Sequence, residues 1–99
     1  MKGMSLDEFM DKVSWGLEIE FKIDGSDRTY LIDGHKEGEK YRLTVDYWDK
    51  TDGTDPKHDY LYCDYSDTYE ECFRKFEEAK IFNGKTIYEI EADVEVICG

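Results

Sequence analysis

Residues 17 to 23, LEIEFKI, alternate apolar and charged side chains without a break. Side chains along a strand point to opposite faces in turn. Leu17, Ile19, Phe21 and Ile23 therefore share one face, and Glu18, Glu20 and Lys22 share the other. A dry face must be covered by another layer, so this chain needs a sheet with helices or a second sheet against it. Residues 40 to 48, KYRLTVDYW, repeat the alternation through Tyr41, Leu43, Val45 and Tyr47. Between them, DGSD (24–27) reads as a turn, RTYLID (28–33) as the returning strand and GHKEGE (34–39) as a second turn. Connections this short suit antiparallel neighbours, so the three segments form a meander. DYLYCDY (59–65) reads as a fourth strand.

Two segments carry helical spacing instead. In SLDEFMDKVSWG, Leu6, Phe9, Met10 and Val13 recur at i, i+3, i+4 and i+7. Ser5 and Glu8 have the spacing of a reciprocal capping box, and Gly16 is placed to end the helix. In DTYEECFRKFEEA, Tyr69, Cys72, Phe73 and Phe76 line one face, with Asp67 as the expected cap and Glu70 at the third helical position. Asn83-Gly84 marks a turn. The tail fits two patterns; a helical turn over 86–91 followed by a terminal strand is preferred to one continuous strand. The expected fold is α+β: residues 1–99 form a single domain, an antiparallel four- to five-stranded sheet with two helices packed on one face.

Composition then limits function. The chain has 25 acids against 13 Lys plus Arg, a net charge of -12. A field of that sign repels nucleic acid and anionic membrane surfaces and attracts basic partners. Stacking of the many tyrosines on single-stranded nucleic acid would need a basic groove, which the interleaved aspartates deny. Cys63, Cys72 and Cys98 make an odd count with no close pair, which indicates a reducing compartment rather than a disulfide framework. The start, MKGMSLDEF, shows neither a long apolar run nor a small-residue cleavage site. No window reaches membrane-spanning length, so the expected location is cytoplasmic.

Catalytic and metal motifs do not emerge. Placing Gly53 at position 6 of a calcium loop puts Trp48 at position 1 and Lys50 at position 3, where oxygen ligands are required. His58 and the three cysteines lack the close Cys-x-x-Cys pairs of zinc sites. His35 and His58, the two histidines, both fall in expected loops, and no phosphate-binding or dinucleotide glycine pattern appears. A non-enzymatic protein with no cofactor and no metal is expected.

The stretch DYWDKTDGTDPKHDYLYCDY, 46 to 65, threads six aspartates through five aromatic rings. Outward side chains on a strand repeat about every 6.7 Å, comparable to the phosphate spacing of a nucleic-acid strand. Glu18 and Glu20 make one such short acidic row, and Glu89, Glu91, Asp93 and Glu95 would make another. Carboxylates pair with arginine and lysine groups that otherwise hold phosphate, and aromatic rings anchor interfaces. The expected partner-binding residues are Asp46, Asp49, Asp52, Asp55, Asp59 and Asp64 as charged contacts, with Trp48, Tyr60 and Tyr62 as anchors. The expected partner is a basic, nucleic-acid-binding protein.

SLDEFMDKVSWGLEIEF together with AKIFNGKTIYEI resembles small acidic proteins of phages and mobile elements, among them anti-CRISPR and other nucleic-acid-mimicking inhibitors. The resemblance covers about a third of the chain and lies in size, charge and pattern, so no family residue carries over. It implies an inhibitor that occupies a nucleic-acid-binding surface. Two alternatives stand beside it: an accessory domain, as a homodimer through an exposed sheet edge, and a small-ligand or enzymatic domain built around a pocket.

Overall fold

A computed structural model describes residues 1–49 and 59–99. Helix α1 (Leu6–Ser14) is followed by strands β1 (Ile19–Ile23), β2 (Thr29–Glu37), β3 (Lys40–Trp48) and β4 (Asp59–Ser66). Helix α2 (Tyr69–Glu78), the single turn α3 (Ile87–Ile90), a 3-10 turn (Glu91–Asp93) and β5 (Val94–Cys98) complete the chain. The five strands form one antiparallel sheet in the order β4-β3-β2-β1-β5. The expected α+β class is therefore observed, with a third, short helix added.

The helices cover one face. Phe9, Met10 and Val13 of α1, Cys72 and Phe76 of α2, and Ile87 and Ile90 of α3 are buried with Ile19, Phe21, Ile32, Leu43, Val45 and Val94 of the sheet. Phe21 sits at the centre, edge-on to Phe9 with ring centroids 5.7 Å apart and stacked on Tyr30 at 5.3 Å. Such ring pairs contribute about 0.5–1.5 kcal/mol each beyond the area they bury. The chain leaves edge strand β4, crosses this inner face through α2 and α3, and returns as β5 on the far edge. This route is what closes the core.

Local chemistry sets the element ends. The Ser5 hydroxyl accepts from the Glu8 amide at 3.1 Å, but the Glu8 carboxylate does not reach back, so only half of the expected box forms. The complete box lies at α3, where Thr86 Oγ1 accepts from the Glu89 amide and Glu89 accepts from the Thr86 amide. Gly16 ends α1 at φ +76°, as its position predicts. Helix α2 is capped by Thr68, whose side chain accepts from Glu71, and not by Asp67. The Asp67 carboxylate is instead bonded to Lys40.

Three further expectations are corrected. Leu17 does not join the dry face; it is exposed, because its amide still bonds to the Lys12 carbonyl as the chain leaves the helix. GHKEGE is not a six-residue turn: β2 runs on to Glu37, and Glu37 pairs directly with Lys40 around Gly38 at φ +65°. The four-acid row of the tail does not form, since Glu89, Glu91 and Asp93 lie in helical turns and only Glu95 is in the strand.

Candidate partner-binding face

Register and alternation place every residue of the sheet on one side or the other. On the outer face, away from the helices, Tyr60, Asp46, Leu31, Glu20 and Cys98 are successive partners across all five strands. A parallel row holds Trp48, Thr29, Lys22 and Glu95. On the other side of Asp46 come Cys63, Thr44 and Asp33, then Tyr65, Arg42 and His35. Asp46 and Glu20 are thus two strands apart, roughly 10 Å, with Leu31 between them.

This geometry divides the nine residues expected at the interface. Asp46, Trp48 and Tyr60 gather at one corner of the outer face, and Tyr60 is 61% exposed. Asp49 and Asp59 lie beyond them at the strand ends, with Asp49 bonded to Arg28 Nε at 2.9 Å. Tyr62 and Asp64 point to the opposite face. Tyr62 packs against Phe76 with centroids 6.4 Å apart, and burial, helped by the nearby Asp64 charge, pushes its hydroxyl up to about 12. Asp64 is 3.5 Å from Lys75 of α2. A β-bulge beside Asp46 offsets the two halves of β4, so residues near in sequence separate in space. Asp52 and Asp55 lie outside the described residues.

Cations divide the acidic surface into smaller areas. Arg42 Nη1 is 3.2 Å from Glu37, and the Tyr65 hydroxyl donates to the same carboxylate at 3.2 Å. The Arg42 Nε is buried and has no hydrogen-bond partner among the described residues. Lys22 stands across from Glu95. Glu20, Asp33 and Asp46 carry the carboxylates at the middle of this face, with His35 Nδ1 3.8 Å from Asp33, and Trp48, Tyr60 and Tyr65 stand at its margin. Glu20 belongs to the acidic row that the alternation of 17–23 implies, whereas Asp33 and Tyr65 are additions to the expected contacts. Their parity relative to Ile32 and Tyr62 is the signal that places them.

Cys72 is a core residue: its Sγ lies 3.3 Å from the Tyr41 carbonyl, and burial raises its thiol pKa. Among the described residues no group of three or more His, Cys, Asp or Glu could hold a metal ion. No helix among them is long and apolar enough to cross a membrane. Compared with known proteins, the chain matches no family model, no curated protein and no solved structure.

Proposed function

We propose that this protein is a non-enzymatic interaction protein whose acidic outer face occludes a basic, nucleic-acid-binding surface of a partner protein. The observation that carries the reading is the transverse row Tyr60–Asp46–Leu31–Glu20 on the face that no helix covers among the described residues. It sets carboxylates about 10 Å apart around an apolar centre, with rings at the margin. Carboxylates in such a band can accept bonds from the arginines and lysines of a phosphate-binding groove, while the rings supply the desolvated anchor. The net charge of -12 steers a basic partner toward the molecule from a distance. Arg42 and Arg28 pair with Glu37 and Asp49 and offset part of the charge elsewhere on the molecule.

The experiment is competition. The immobilised protein is offered a lysate at low salt, and excess duplex DNA or structured RNA is then added. Partners bound through their nucleic-acid sites are released by the nucleic acid and by raised salt. Partners that stay bound under both treatments would exclude the reading.

A further inference from the structure

The inner face is not covered to its end. Helix α2 stops at Glu78, where Ala79 adopts extended backbone, and residues 79–85 roof the rest of the sheet as a loop and a tight turn. That turn is well defined: Phe82 and Lys85 exchange backbone bonds of 3.0 and 3.2 Å, around Asn83 at φ +56° and Gly84 at φ +80°. Phe82 is pinned by Phe21 and Tyr30, with centroids 6.2 and 6.1 Å away. Between this roof and the sheet lies an open cleft of about 570 Å³. Pockets that hold small molecules span roughly 300–1,000 Å³.

The lining has two parts. Ile23, Tyr30, Leu61, Ile81 and Phe82 make apolar walls. Arg28 and Lys85 line it with Ser26 and Asn83, and among the described residues no lining residue is acidic, although 25 of the chain's 99 residues are. The Arg28 guanidinium lies 4.1 Å from the Tyr47 ring centroid and gives its Nε proton to Asp49. An arginine carries five N–H donors, so this anchoring positions the group without exhausting it. Lys85 is exposed and, among the described residues, has no acid within ion-pair distance.

We infer that this cleft binds an amphipathic anion, a small molecule with an apolar body and one terminal carboxylate. The apolar body lies along Leu61, Ile81 and Phe82, and the carboxylate meets Lys85 and Arg28. The site is built from the helix-side face of the sheet, so it is separate from the partner-binding band and does not depend on it. The overall charge makes the assignment discriminating. A chain at -12 repels anions and gathers cations without specificity, so preference for an anion must come from these two side chains.

The test is titration of the intact protein with decanoate below its micelle-forming concentration, followed by amide NMR at constant ionic strength. Decan-1-ol and decyltrimethylammonium serve as charge controls. Decanoate is expected to shift the Ile23, Leu61, Phe82 and Lys85 amides saturably and to bind at least tenfold more tightly than the cationic amphiphile. Lys85→Glu, at an exposed position, is expected to weaken decanoate at least fivefold. Ser26→Asp retains an acceptor for the Arg28 amide while adding a negative charge to the lining, and is expected to do the same. Equal binding of the cation, shifts confined to other residues, or unchanged affinity in both variants would overturn the inference.

Discussion

Gly34→Ala is the substitution that reports most sharply on the packing. Gly34 lies inside β2, on the inner face, and its φ is not in the left-handed region. Nothing in the backbone forbids alanine, and a strand interior would ordinarily favour it by about 0.5–1 kcal/mol. A Cβ there would nevertheless collide with the Tyr69 ring, whose hydroxyl donates to the Val13 carbonyl at 2.6 Å. The ring must swing toward solvent. That loses one hydrogen bond, about 1 kcal/mol, and part of the ring's packing, about 1–2 kcal/mol. The net cost is about 2 kcal/mol, a fall of roughly 10–15 °C in Tm for a domain this size. Chemical denaturation of the single variants and the pair makes a double-mutant cycle. In a Tyr69→Ala background, Gly34→Ala should cost nothing or stabilise slightly. If it destabilises equally in both backgrounds, the ring is not the reason that glycine sits there. Tyr69 also gives a second signal: burial holds its pKa far above the usual phenol value, and in Gly34→Ala it should titrate closer to 10.

Other perturbations have defined outcomes. Tyr62 has its pKa raised from 10.0 to about 12, so from pH 10 upward the unfolded chain sheds this proton first. Stability is then full below pH 10 and falls as pH rises toward 12. The loss from Tyr62 is about 1–2 kcal/mol once screening of the part-exposed ring is allowed for. Ellipticity should be followed together with the 295 nm absorbance difference between the protein and its Tyr62→Phe variant, which isolates this ring; its ionisation should coincide with unfolding, and ionisation well before unfolding would contradict the packing. Thr86→Ala removes a reciprocal capping box and should cost about 1 kcal/mol by urea denaturation, whereas Ser5→Ala, at a half-formed box, should cost less. Phe76→Ala empties a position that is 1% exposed and should cost about 3–5 kcal/mol in the same assay.

The strands were legible where one face is dry. KYRLTVDYW becomes β3 at the bounds its alternation implies, and the tail becomes a helical turn followed by a strand. What escaped the sequence depends on distant partners. Gly34 looks like turn chemistry until Tyr69, 35 positions later, is seen lying on it. Asp67 is a good cap by type, but Lys40 takes its carboxylate and leaves the amide of Glu71 to Thr68. At the candidate face, the aspartates of 46–65 are dense along one strand pair. Parity and the bulge beside Asp46 then send Tyr62 and Asp64 inward and bring Glu20 and Asp33 from other strands. Charge density along a chain does not reveal which face a residue takes; the register does.

The central claim is that a local band, not bulk acidity, makes the contact. Partner capture by the intact protein should be compared with Glu20→Gln/Asp46→Asn and with Asp7→Asn/Asp11→Asn, a pair on α1 that removes the same charge from the helical side. The sheet pair is expected to lose DNA-competable capture by tenfold or more while the helix pair retains it. Equal retention, or an equal loss in both, would contradict it.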